Sequence, residues 1–415
     1  MLFIPLIYFI LLGLYFYLQH RTWNLDLAAT SILIAISFCA IMIDVNDIYG
    51  DYGINEYSVT VPTVLLFCVQ WTLVLIPFHL ISLLKLEKHD EMKTRMLYTI
   101  LCVVALNSFL MIVFKISDIK EAFMMDMVDV RNEHYQDMRD AGEGERNMLM
   151  LLPTIVISSP FPTFALFFWF YLQTFTKSSS FLHLALLISS IVQAVIAIII
   201  AGRAALVYWM FDFYLLYSFF YQYLSRRIKL GVSIAALVLG ALIVTVFSAI
   251  TMSRFDDAKA DHSAFDSLYG YAGQHINNFC AMFEYGANSP FQIDRIFPLT
   301  SKMMGHQFNL ADHYDKMSSY VKAMVNVFDT FGAEIYLDLG WFGYIFFFLV
   351  LGLYTFYVKK NWSSISFHRV FIVIIMVAFY TRGIFAWPFT GHYSTMALFM
   401  MFLLYILFKY RFRLK

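Results

Sequence analysis

Apolar runs of about 20 residues recur along the chain between short polar connections, and about 20 is the length a helix needs to cross the ~30 Å hydrocarbon core of a bilayer. There the backbone has to satisfy its own hydrogen bonds, so each run is expected to be helical. Eleven runs qualify: 2–18, 25–43, 59–84, 96–114, 148–175, 181–201, 204–224, 229–252, 333–357, 369–388 and 391–410. The fifth contains Pro153, Pro160 and Pro162, which remove backbone donors and predict a kink or break in its middle. The tenth and eleventh are separated only by the region from Trp387 to Gly391. The first run, LFIPLIYFILLGLYFYL, has no basic n-region and no small-residue cleavage site, and is expected to be a retained helix. The pattern predicts an all-α integral membrane protein with about 11 transmembrane helices. Residues 1–252 carry helices 1–8 with an acidic outer segment at 115–147, residues 253–332 form one large, partly helical outer loop, and residues 333–415 carry helices 9–11.

Composition agrees with this pattern. The chain has 415 residues, 60% hydrophobic and 14% charged, whereas a soluble domain is nearer ~45–50% apolar and ~25% charged. The basic and acidic residues balance at 29 each, which argues against a nucleic-acid partner. Cys39, Cys68 and Cys102 lie inside apolar runs and Cys280 in a polar segment, so neither a disulfide framework nor a CxxC pair can be built.

Lysine and arginine in short connections stay on the cytoplasmic side. With the N-terminus outside, the inner connections collect Arg21; Lys85, Lys88, Lys93 and Arg95; Lys177; Arg226, Arg227 and Lys229; Lys359, Lys360 and Arg369; and Lys409, Arg411, Arg413 and Lys415. The short outer connections hold fewer, namely Lys115, Lys120, Arg131, Arg139 and Arg146, together with Arg203 and Arg382. The expected location is a bacterial inner (cytoplasmic) membrane, multi-pass, with the N-terminus periplasmic and the C-terminus cytoplasmic.

Arg203 and Arg382 stand at outer helix ends, against the general bias. Such an arginine can simply snorkel to headgroups, yet membrane-edge cations also mark anionic ligands. They share their side with the loop 253–332, in which FDSLYGYAGQHINNFCAMFEYG predicts an amphipathic helix with Leu268, Ala272, His275, Ile276 and Phe279 on one face. The loop also carries Arg254, Arg295, His262, His306 and His313. HxxxH, HExxH, Walker, GxGxxG and GxSxG patterns are absent, so no metal, nucleotide or other cofactor is expected. A substrate on this side has to arrive already activated, and a lipid-linked diphosphate fits. Guanidinium grips phosphate oxygens bidentately, and it stabilises the charge that grows on a departing diphosphate. The acidic segment 115–147 reads first as a solvated surface, with Arg131 and His134 as its residues to test for substrate contact.

The span order, the GR element at Gly202–Arg203 after a long apolar helix, the loop with SLYGYAGQHINNF and the run FGAEIYLDLGWFGYIFFFLVLGLY at 331–354 together resemble the O-antigen polymerase (Wzy) family of oligosaccharide repeat unit polymerases. The likeness extends from about residue 95 onward as scattered short elements. It implies a GT-C-type inverting glycosyltransferase that works without cofactor. Such an enzyme moves a growing glycan from undecaprenyl pyrophosphate to the non-reducing end of a new lipid-linked unit, at the periplasmic face. Its partners would be undecaprenyl-pyrophosphate-linked oligosaccharides, membrane lipid and a chain-length regulator protein. Arg203, Arg254 and Arg382 would be the charge partners of the diphosphates, with Arg295 and Arg131 as further contacts. His275, His306, His313 and Glu334 would be the candidates for the base that deprotonates the acceptor hydroxyl; a glutamate at a helix start can equally serve only the helix dipole. An O-antigen ligase or a flippase for the same lipid-linked unit are the alternatives, the latter usually showing repeated halves, which this chain lacks.

Overall fold

A computed structural model describes residues 1–48, 59–88, 91–122, 148–176, 179–197, 204–234, 264–286, 293, 295–305 and 330–410. Their regular structure is helical: α1 (Phe3–His20), α2 (Leu25–Val45), α3 (Val61–Ser82), α4 (Glu91–Phe114), α5 (Ile116–Ala122), α6 (Leu151–Ile157), α7 (Phe161–Phe175), α8 (Ser180–Ala197), α9 (Ala204–Phe220), α10 (Ala264–Tyr285), α11 (Pro298–Met303), α12 (Phe331–Asn361), α13 (Phe367–Gly383) and α14 (His392–Tyr410). Among the described residues seven helices are long and apolar enough to cross a membrane, or eight if the bent pair α6–α7 counts as one span. The chain is an α-helical membrane protein by this measure.

The expected eleven crossings are met in part. The runs 204–224 and 369–388 form α9 and α13, helices of 17 residues each, and most of 229–252 lies outside the described residues. Helix α13 stops at Gly383, short of the expected 388. Pro388 bars only the last residue of the run before it, Trp387, from the α region. The break expected in the fifth run is present: α6 and α7 meet at 64°.

The chain divides into two compact units. One comprises Lys88–Ala264, Val370–Ala378 and Met396–Lys415. Its centre is α7, which is apolar all round and buried along nearly its whole length, as a helix without a polar face must be. Phe170 stacks on Phe220 at 5.6 Å, and Phe164 on Phe371 at 6.1 Å. Asp212 of α9 is buried and accepts a hydrogen bond from Thr163 at 2.6 Å.

The other unit comprises Met1–Glu87, Phe265–Arg369 and Phe379–Thr395. The N-terminus of α3 is set by a reciprocal Thr60–Thr63 capping box with proline in the first turn. An aromatic series links its helices: Phe9 to Phe67, Phe67 to Phe279, Phe279 to Phe283, and Phe283 stacked on Tyr336 at 4.3 Å.

Two features of this unit differ from the sequence expectation. Helix α10 forms as expected, but its burial is not confined to one face: every residue from 273 to 283 is buried. Its close approach to α2 requires Gly273, where a Cβ would come within 2.5 Å of the Ala40 nitrogen and the Cys39 carbonyl carbon. Leu268, placed on the expected apolar face, is instead exposed.

Helix α12 is not one straight rod. Gly340 has φ 62° and ψ −165°, a region that only glycine visits readily. Residues 331 and 347 would be about 24 Å apart in a continuous helix, yet the Phe331 ring lies 5.5 Å from Phe347 and 6.1 Å from Phe348. Residues 331–339 therefore fold back along the arm 341–361.

Candidate functional site

The fold-back carries acidic residues into the interior. Glu334 and Asp338 are one helical turn apart, so they share a face of the short arm. Both are buried, on an arm whose Gly332 packs onto Gln70 near the middle of α3. Ionisable groups at such depth are costly and tend to be functional.

Arg295 answers them. Its Nη2 donates to Glu334 Oε1 in a fully buried ion pair. The next residue, Ile296, donates its backbone N–H to Asp338 Oδ2 at 3.2 Å. The second Glu334 oxygen accepts the backbone N–H of Trp387 at 2.6 Å. Glu334 thus ties the segment before α11 to the turn that follows α13, a stronger constraint than a dipole contact at a helix start.

That turn also holds Arg382 and meets α10. Arg382 is 5% exposed, and its Nη1 donates to Thr381 Oγ1 at 3.1 Å. It therefore points into the protein, not toward lipid headgroups. Phe385 packs edge-on against the buried His275 ring with centroids 4.7 Å apart, and Tyr271, one turn earlier on α10, meets the same phenyl ring at 6.2 Å. Asn278 is buried one turn beyond His275 on the same side of the helix. The result is a buried polar neighbourhood with two arginines, two carboxylates and a histidine, drawn from α10, the 295–296 segment, the short arm of α12 and the 382–387 turn.

Of the residues singled out by sequence, Arg295, Arg382, Glu334 and His275 come together here. Arg203, Arg254, Arg131, His134, His262, His306 and His313 lie outside the described residues. Asp338 and the Trp387 N–H were missed. The i, i+4 spacing of Glu334 and Asp338 was the available signal, but hydropathy runs on through Gly340 and hides the fold-back. Of the acidic outer segment only 115–122 is described. There Lys115 bonds Asp118 at 2.6 Å, a contact that holds the Asp118 carboxyl below its usual range.

A different constellation lies at the other ends of the first three helices. His20 closes α1, Asp26 begins α2 and His79 sits in the last turn of α3; their ring nitrogens and a carboxylate oxygen all lie within 4.8 Å of one another. All four cysteines are free thiols. Compared with protein-family models, with curated proteins and with solved structures, the chain gives no match.

Proposed function

We propose that the chain is a membrane glycosyltransferase that polymerises oligosaccharide repeat units carried on a polyprenyl diphosphate, working at the outer face of a bacterial inner membrane. The observation that carries this reading is the buried group formed by Arg295, Arg382, Glu334, Asp338 and His275 inside a membrane helix bundle. A transfer of this kind breaks the bond from the donor sugar to the diphosphate while the acceptor hydroxyl attacks from the opposite face. The leaving diphosphate gains negative charge, which a fixed guanidinium stabilises more than it does the ground state. Arg382 is assigned to that role, with Arg295 held in position by Glu334. Because both Glu334 oxygens are engaged, by Arg295 and by the Trp387 N–H, His275 is the better base for the acceptor proton. The same reading assigns Arg203, which lies outside the described residues, to a second diphosphate.

The test is chain length in cells lacking the native gene and complemented with variants. Arg382→Ala is expected to lower extension by about 10²–10³-fold, the scale of losing one preorganised charge donor, with the protein's membrane abundance unchanged. Arg382→Lys should restore only part of it, since a point charge cannot make the forked contact. Single repeat units on the acceptor core are the expected product. A bare core would point to a ligase, and polymer of normal length would remove the diphosphate assignment.

A further inference from the structure

We infer that His20, Asp26 and His79 form a binding site for one divalent transition-metal ion of the zinc type, which fastens the ends of α1, α2 and α3 to one another. Asp26 Oδ2 lies 3.1 Å from His20 Nε2 and 2.8 Å from His79 Nδ1, and the two nitrogens are 3.3 Å apart. Tetrahedral zinc with ligands at about 2.0–2.1 Å holds its ligand atoms roughly 3.3–3.4 Å from one another. The triangle therefore needs to open by only a few tenths of an ångström to accept the ion.

Two arrangements can fill this triangle. Both imidazoles can donate an N–H to Oδ2, which as a carboxylate oxygen accepts more than one hydrogen bond. Alternatively, a cation at the centre takes one lone pair from each of the three converging atoms. The rest of the carboxylate is already fixed: Oδ1 accepts the Leu27 N–H at 2.8 Å, leaving Oδ2 as a single ligand atom. The Asp26 N–H donates to Ser82 Oγ at 3.3 Å, and Phe16 stacks on the His79 ring at 4.7 Å. A ligating carboxylate whose second oxygen is itself hydrogen-bonded is typical of metal centres. Two imidazoles with one carboxylate suit zinc and its neighbours over magnesium or calcium, and leave a fourth position for water. The ligands stand on three helices with no regular spacing, so a search for HxxxH cannot find them.

The rival is a metal-free clamp, favoured by a histidine at the end of α1 and an aspartate at the start of α2. The whole protein, purified in detergent with any affinity tag removed, is stripped with EDTA and titrated with Co2+, then with Zn2+ as competitor. Expected are one cobalt per chain, the visible d–d bands of four-coordinate Co2+, their displacement by zinc, and a thermal midpoint raised by several degrees when zinc is added. Asp26→Asn and His79→Gln should abolish the bands. Wild-type protein that binds no stoichiometric cobalt and does not respond to zinc would overturn the site in favour of the clamp, however the variants fold. Bands that persist in folded variants would overturn it too, since the ion would then sit elsewhere.

Discussion

Arg295→Ala is expected to destabilise the protein by about 3–5 kcal/mol, the cost of removing one partner from a buried ion pair. Glu334 is 1% exposed, and without the guanidinium its only remaining donor among the described residues is the Trp387 N–H. Water cannot replace the lost partner at that depth without opening the packing between the short arm of α12 and the 382–387 turn. The pair itself contributes much less than its breaking costs, because burying two charges offsets most of their attraction. The double variant Arg295→Met with Glu334→Gln should therefore recover most of the loss. Thermal unfolding of detergent-solubilised protein measures both. A single variant within about 1 kcal/mol of wild type, the value for a solvated pair, would show that the site is open to water. Under the proposed function the double variant remains inactive even where its stability returns, which separates the chemical role from the structural one.

Gly273→Ala is expected to cost about 3 kcal/mol, at the upper end for overpacking a close-packed interior. The added methyl would meet main-chain atoms of Cys39 and Ala40, not the yielding tip of a side chain. Relief requires α10 to move away from α2, and that movement shifts His275 and Asn278 on the same helix. Under the proposed function, loss of polymerisation should accompany the fall in thermal midpoint. A variant with unchanged midpoint and unchanged polymer would mean that α10 does not pack on α2 this closely. Gly231, where a Cβ meets nothing within 4 Å, is the control: alanine there should be tolerated.

What was legible in the sequence follows from how far each signal reaches. Apolar runs marked the helices, and prolines at 153, 160 and 162 marked the break between α6 and α7, because both effects act within a few residues. That α13 ends before Trp387 was equally available from Pro388. The surroundings of α10 were not: its sequence has an apolar stripe, but its burial on every side depends on Gly273 meeting a helix more than 200 residues earlier. The Arg295–Glu334 pair spans 39 positions and the His20–Asp26–His79 group joins three helices. No local periodicity encodes either. Arg382 was picked out for its lone charge, and the expectation that it faces outward at a helix mouth gives way to a buried position because α13 ends inside the packing of the 382–387 turn.

The backbone reversal at Gly340 also settles a question of length. Thirty-one residues in one unbroken helix would extend about 46 Å, well past the ~30 Å hydrocarbon thickness of a bilayer. Doubling back leaves an arm of 341–361, commensurate with the lipid, and converts the surplus turns into a wedge packed beside it. Any side chain at position 340 that favoured a straight rod would set hydrophobic thickness against helix continuity, so membranes of different thickness become a natural probe of that wedge.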